Sequence, residues 1–258
     1  MKIAIIGAGN MGGATALGLA GALPDARITV TAKHAATLER FAARGLQTSL
    51  DNASAAADAD LVILGVKPWL AQGVLAELRT ALAGKVLVSF VAGVPATELS
   101  SWLDGSGVKG IYSVIPNLAI EVGESMSFIH EISGTPETLA TVQGLFDAVG
   151  RTAVVDEKRL NAGMMLASCG TAFALRYVRA SAEGGVELGL YPQEAITAAL
   201  QTVKGAAALL AARGSHPEAE IDRVTTPGGI TIKGLNAMEE AGFSAAVIAG
   251  LKAWKPKQ

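Results

Sequence analysis

A chain of 258 residues, half apolar and only 17% charged, has material for a substantial buried core in one large domain or two modest ones. A formal net charge of −2 with no long basic run argues against nucleic acid as a partner. The single cysteine excludes an intramolecular disulfide and fits a reducing compartment. No signal-peptide pattern precedes the first apolar run, and no apolar run reaches membrane-spanning length without polar interruption, so the expectation is a cytoplasmic protein that meets no membrane.

The chain opens on Ile3-Ala4-Ile5-Ile6-Gly7-Ala8-Gly9-Asn10-Met11-Gly12-Gly13. The apolar run is too short for a helix and reads as a buried parallel strand. Gly7 permits a sharp turn, Gly9 lets a pyrophosphate approach the backbone, and Gly12 lets the following helix pack close to the sheet. That helix starts near Met11 and offers free N–H groups and its dipole to the phosphates. Its context, after a strand and before a helix, makes this G-x-G-x-x-G a dinucleotide-binding loop rather than a plain turn.

The first helix runs to about Ala22, and Arg27–Thr31 is the second strand. A protein that prefers the unphosphorylated dinucleotide usually carries an acid at that strand's end. Here the sequence is Thr31-Ala32-Lys33-His34, so Lys33 is read as the partner of a 2′-phosphate. Helices follow over Ala35–Arg44 and Asn52–Asp58. Asp60–Val66 is the clearest buried strand; it ends in Lys67-Pro68, where proline suits the first turn of the next helix. Lys85–Val91 and Val108–Ile115 are further strands, ending in Ala92-Gly93 and Pro116-Asn117. In a doubly wound sheet the ligand lies beyond the carboxyl ends of the strands, so Lys67, Ala92, Gly93 and Asn117 outline one crevice with the glycine loop.

Ser125–Ile129 and Arg151–Val155 read as strands flanking a helix over Pro136–Val149, closing the sheet. After Asp156 the pattern turns helical: Lys158 to about Glu183, Pro192–Arg213, Ile230–Ala241 and Ser244–Trp254. The expected fold is thus α/β over 1–156, a Rossmann dinucleotide-binding domain, followed by an all-α domain over 157–258. The small-residue, apolar helices of that second part suggest a surface that interlocks with a second copy.

A second chemical stretch lies in it, Val224-Thr225-Thr226-Pro227-Gly228-Gly229-Ile230-Thr231-Ile232. Thr226 is read as a helix N-cap followed by an N1 proline. Gly228 and Gly229 leave the next N–H groups uncovered, and Thr231 adds a hydroxyl, so the stretch reads as a nest for a substrate carboxylate. Asn161–Leu175 holds no ionisable side chain except Cys169, which favours imine over alcohol chemistry. Cys169 itself reads as a packed small residue, with no base nearby in sequence. His34 and His130 are isolated, His216 reads as a helix cap or interface residue, and no metal constellation exists. Trp69, Trp102 and Trp254 are expected to pack, and Glu218–Arg223 to form a solvated helix face.

These residues resemble the pyrroline-5-carboxylate reductase family over nearly the whole length. The likeness rests on Gly7–Gly12, Val66-Lys67-Pro68, Pro116-Asn117 with Val122-Gly123-Glu124, Gly185–Leu190, Gln201-Thr202, His216-Pro217 and, most specifically, Val224–Ile232. The resemblance implies that Ile6, Gly7, Ala8, Gly9, Asn10, Met11 and Gly12, with Gly65, Val66, Lys67 and Pro68, bind the cofactor. It implies NADPH, with NADH as the alternative. It places a cyclic imine carboxylate on Thr226, Gly228, Gly229 and Thr231, the Thr231 hydroxyl lying near the ring nitrogen. It implies a homodimer, with decamers as a further assembly. Departures are Ala167-Ser168-Cys169-Gly170-Thr171-Ala172 for the family's Ser-Gly-Ser-Gly-Pro-Ala, and Ala32-Lys33 for its Asn-Arg. Two alternatives stay open: a reductase of another cyclic imine or a β-hydroxyacid dehydrogenase relative, and a non-catalytic dinucleotide-sensing protein.

Overall fold

The computed structural model describes residues 1–253. It divides into two compact units, Met1–Ser168 and Cys169 onward, a division beyond the Asp156 boundary expected from sequence. In the first unit strands β1 (Lys2–Ile6), β2 (Arg27–Thr31), β3 (Gln47–Ser49), β4 (Leu61–Leu64), β5 (Val86–Ser89), β6 (Gly110–Ile115), β7 (Ser125–Ser133) and β8 (Gly150–Val154) form one sheet. Their order is β3-β2-β1-β4-β5-β6-β7-β8, and only the β6–β7 pair is antiparallel. Helices α1 (Asn10–Ala22), α2 (Ala35–Ala42), α3 (Asn52–Asp58), α4 (Pro68–Leu78), α5 (Ala96–Leu103) and α6 (Pro136–Asp147) connect them. The order reverses between β1 and β4, which sets a switch point at the carboxyl end of β1.

The central strands are buried on both faces. Ile3 and Ile5 pack with Leu19 of α1, Phe41 of α2 and Phe146 of α6. Ala4 and Ile6 point the other way, into a layer with Ala55 of α3, Leu75 of α4 and Leu99 of α5. Strands enclosed in this way read as unbroken apolar runs, which is why β1, β4 and β5 are plain in the sequence. The structure adds two elements that the sequence does not announce. β3 is Gln47-Thr48-Ser49, a polar edge strand held by backbone pairing to β2. α5 carries only Leu99 and Leu103 as buried residues and follows Pro95.

The expected single helix from Lys158 to Glu183 is three pieces. Helix α7 (Glu157–Gly163), capped by Asp156, gives way to a π-helical stretch over Met164–Cys169, and only then does α8 (Gly170–Glu187) begin. The second unit continues with α9 (Pro192–Arg213), α10 (Pro217–Val224), α11 (Ile230–Glu240) and α12 (Phe243–Lys252). α9 is long and apolar enough, by length and composition alone, to cross a membrane, though Glu194, Gln201 and Lys204 interrupt it. Within this unit only Val178, Ala182 and Ala195 are buried hydrophobics among the described residues, while Ile196, Leu200, Leu209, Phe243 and Val247 stand exposed. An apolar groove of about 690 Å³ runs between α8 and the α11–α12 pair, lined by Phe173, Tyr177, Met238, Phe243 and Val247.

Trp69 departs from the expectation of packing: it is 78% exposed on the first turn of α4, because its neighbour Ala71 takes the buried position there. Trp102 is half-buried against the α3–α4–α5 layer, and Trp254 lies outside the described residues. His216 caps α10, its Nδ1 accepting from the Glu218 N–H at 3.3 Å. The charged run on α10 is solvated except at Glu220. That carboxylate accepts from the Ser215 hydroxyl at 2.5 Å, the larger influence, and from the Arg213 guanidinium, which together hold its pKa below the ordinary value.

Candidate functional site

The glycine loop leaves β1 through Gly7 at φ +105°, a backbone conformation that side-chain-bearing residues avoid. A Cβ on Gly12 would stand 2.1 Å from the Gly7 carbonyl oxygen, so only glycine lets α1 press against the turn. A Cβ on Gly9 would meet nothing within 4 Å. Gly9 is also the N-cap of α1, with no side chain capping it, and the first helical bond joins the Gly13 N–H to the Gly9 carbonyl at 2.8 Å. The N–H groups of Asn10, Met11 and Gly12 therefore find no backbone acceptor among the described residues, as at any helix start. Open space, bare amides and a helix dipole in one place suit a diphosphate. Judged by that cradle, the residues present fit a dinucleotide.

The loop is held from behind by groups that sequence reasoning missed. Thr31, fully buried at the end of β2, accepts the Gly7 N–H on Oγ1 (3.3 Å) and the Ala8 N–H on its carbonyl (2.8 Å). Its hydroxyl in turn donates to Asn52 Oδ1 at 2.7 Å, on the first residue of α3. On the far side Arg40 of α2 lies over the Phe41 ring and donates to the Ala8 carbonyl at 3.3 Å. A threonine ending a strand and an asparagine opening a helix carry little sequence signal, because both are common turn residues.

Among the strand ends, that of β4 meets the glycine loop directly. The Gly65 N–H donates to the Ile6 carbonyl at 2.8 Å, and a Cβ on Gly65 would lie 3.3 Å from the Gly7 oxygen. Gly65 and Val66 are half-buried there, while Lys67 is the exposed N-cap of α4 and Pro68 its first residue. After β5 come exposed Ala92 and Gly93, the latter at φ +76°. Asn117 follows β6 and is buried, with both ends of its amide engaged inside the chain. Lys33 is exposed just past β2, next to the Ala8–Thr31 bond.

In the second unit the structure corrects the expected cap at Thr226. Thr226-Pro227-Gly228-Gly229 forms a turn, the Gly229 N–H donating to the Thr226 carbonyl at 2.9 Å with Gly228 at φ +70°, the pattern of a type II turn with proline second and glycine third. A residue at that φ cannot continue a right-handed helix, so α11 begins only at Ile230 and its N-cap is Gly229. No side chain caps it. A Cβ on Gly229 would come within 2.4 Å of Thr226 Oγ1, which explains the second glycine. The result is a second bare helix start, with Thr231 half-buried on its first turn. Cys169 is a half-buried free thiol. Among the described residues no group of three or more His, Cys, Asp or Glu side chains could hold a metal ion.

A Rossmann sheet with an open glycine cradle, followed by a helical unit with uncovered apolar faces, defines a two-unit dinucleotide-linked oxidoreductase. Residues 2–93 match the family model described as NADP oxidoreductase coenzyme F420-dependent, and residues 157–257 match the one described as pyrroline-5-carboxylate reductase dimerisation. The chain is 37% identical to a pyrroline-5-carboxylate reductase of Arabidopsis thaliana, over 97% of this chain and 93% of that one. It is 35% identical to pyrroline-5-carboxylate reductase 2 of Dictyostelium discoideum, over 97% and 89%. Its fold is similar to that of the Plasmodium falciparum pyrroline carboxylate reductase crystallised with NADP bound, with a TM-score of 0.87 at 25% identity, covering 98% of this chain and 95% of that one. The chain belongs to the pyrroline-5-carboxylate reductase family.

Proposed function

We propose that the protein reduces 1-pyrroline-5-carboxylate to L-proline with NADPH, acting as a homo-oligomer built on its helical unit. The observation that carries the substrate assignment is the bare start of α11, where a Thr-Pro-Gly-Gly turn exposes amides beside the Thr231 hydroxyl. The amides of this first turn hold the ring carboxylate, as a helix N-terminus holds any small anion. Thr226, Gly228 and Gly229 shape that nest. Thr231 hydrogen-bonds the ring nitrogen and helps keep it protonated, so that the C=N carbon is electrophilic.

In the first unit the amides of Gly9 to Gly12, with Ile6, Gly7 and Ala8 shaping the turn, hold the dinucleotide diphosphate. Lys33 neutralises the 2′-phosphate, and Gly65 to Pro68, Ala92, Gly93 and Asn117 line the crevice beyond the strand ends. When bound, the reduced nicotinamide supplies the hydride. The chain's own contribution is placement: fixing two reactants in line accounts for as much as about 7–11 kcal/mol of a barrier. No strong acid is required, because an imine of this kind can be protonated near neutral pH. That agrees with the lack of any ionisable side chain other than Cys169 from Asn161 to Leu175, where an alcohol dehydrogenase relative would carry its base.

The exposed apolar faces of α9 and α12 support a dimer; the further assembly we propose is a decamer, working in the cytoplasm without metal or membrane. Oxidation of NADPH on adding the imine tests the reading. Turnover with pyrroline-5-carboxylate exceeding that with six-membered imines or β-hydroxyacids is expected. Dinucleotide binding without turnover of any imine would return the protein to a sensing role.

A further inference from the structure

Lining the crevice does not account for the hydrogen bonds that the buried Asn117 side chain makes inside the chain. Asn117 is 8% exposed and lies two residues past the end of β6, at the carboxyl edge of the sheet. Its Oδ1 accepts the Ala119 N–H at 3.0 Å, opening the short 3₁₀ turn Leu118–Val122. Its Nδ2 donates to the Ala167 carbonyl at 3.4 Å, fifty positions along the chain. Its own N–H donates to Ser125 Oγ, which pairs with Ser127 Oγ at 3.1 Å. The amide cannot be turned round, since that would set an oxygen against the Ala167 carbonyl and an N–H against the Ala119 N–H.

Ala167 lies in the π-helical stretch Met164–Cys169. π turns are rare, widen the backbone, and occur frequently where function needs a special placement. This one is held at both ends. At its start, a Cβ on Gly163 would fall 2.5 Å from the Phe128 ring, so only a glycine lets the chain lie this close to β7 there. Near its end it is tied by Asn117. Asn117 keeps one amide N–H and one oxygen lone pair, but at 8% exposure they have little access to a cofactor.

We propose that Asn117 is a positioning residue for imine reduction: its bond to Ala167 holds the Met164–Cys169 turn at the carboxyl ends of the strands and so shapes the wall of the crevice where the reaction runs. This refines the crevice-lining role given to Asn117 and rests on the proposed reductase activity. Asn117→Ser separates the two jobs of the side chain. A serine hydroxyl can still accept the Ala119 N–H in the same local turn but is too short to reach Ala167. Asn117→Ala removes both.

Three measurements on the full-length oligomer decide it: amide hydrogen exchange over 164–169, the NADP⁺ dissociation constant, and kcat with KM for both substrates. In Asn117→Ser, exchange over 164–169 should quicken by about tenfold or more, as for a lost local anchor. The NADP⁺ dissociation constant should stay within about twofold and kcat should fall by about tenfold, the mark of lost placement rather than lost binding. Asn117→Ala should match that kcat while melting at a lower temperature. Weaker NADP⁺ binding at unchanged kcat would overturn the proposal, making Asn117 a cofactor contact. Unchanged exchange over 164–169 would overturn it too, and so would a kcat that tracks melting temperature across the variants. If the wild type reduces no imine, the reductase reading fails by itself, while the exchange and NADP⁺ measurements still decide the tether.

Discussion

The two units satisfy their apolar sequence in opposite ways. In the first, every residue of β4 is buried and two layers of helices close over the sheet. In the second, α9 runs 22 residues with Ala195 as its sole buried residue. A buried leucine or isoleucine contributes about 1.5–3 kcal/mol relative to an exposed one. Exposed Ile196, Leu200 and Leu209 on α9 therefore represent stabilisation that one copy of the chain leaves unrealised. The first unit contains its own core; the second encodes half of one, in keeping with its match to a dimerisation family.

The contrast can be broken at its weakest side first. Ile196 and Leu200 lie one turn apart on α9, and Ile196→Glu with Leu200→Glu should cost the assembly about 3 kcal/mol or more. Sedimentation should show the oligomer dissociating while NADP⁺ binding survives; an unchanged oligomer would place the interface elsewhere. In the first unit, Gly12→Val should destabilise by about 3 kcal/mol in a denaturant melt and abolish NADP⁺ binding, since the space it needs is filled by backbone. Gly21→Ala, with nothing within 4 Å of its Cβ, is the control and should be neutral or stabilising by up to about 1 kcal/mol. Thr231→Ala should lower kcat/KM roughly a hundredfold with Thr231→Ser largely restoring it, as expected for a hydroxyl that aids proton placement. Lys33→Ala should raise the KM for NADPH about fivefold and leave that for NADH nearly unmoved, the scale of one exposed charge pair. The smallest effect concerns Glu220, whose carboxyl is held below its ordinary 4.5 by the Ser215 hydroxyl first and the Arg213 guanidinium next. A carboxyl depressed in the folded state stabilises it above the ordinary value and loses that contribution as pH falls through the depressed one. Glu220→Gln should slightly flatten the decline of the helical unit's melting temperature below pH 4.5.

Legibility in the sequence cut across that divide and followed instead how each segment is buried. β1, β4 and β5 were plain because strands buried on both faces carry unbroken apolar runs, and Gly7 and Gly12 were plain because each meets a steric demand, Gly7 through its φ and Gly12 through the Gly7 carbonyl, while Gly9 leaves open space. α3 and α9 match their expected bounds, set by the Asp51 cap in one case and by Pro192 and Gly214 in the other. The edge strand Gln47–Ser49 was silent, since backbone pairing holds it and its side chains are polar. The π stretch at Met164–Cys169 was silent too, because Met, Leu, Ala, Ser and Cys suit an α-helix equally well and the tether from Asn117 is remote in sequence. At Thr226 a cap and a turn share the same residues. The φ of Gly228 separates them, and no composition rule supplies it. Trp69 misled through size alone: a large ring is usually buried, but its place on α4 faces outward.

The most direct test of the central claim is a crystal structure of the assembled protein with NADP⁺ and proline bound. The expected result is the diphosphate on the amides that follow Gly9, and the proline carboxylate on the first turn of α11 with its ring nitrogen at Thr231. A proline carboxylate bound away from Gly229–Thr231, or a diphosphate away from the glycine turn, would contradict it.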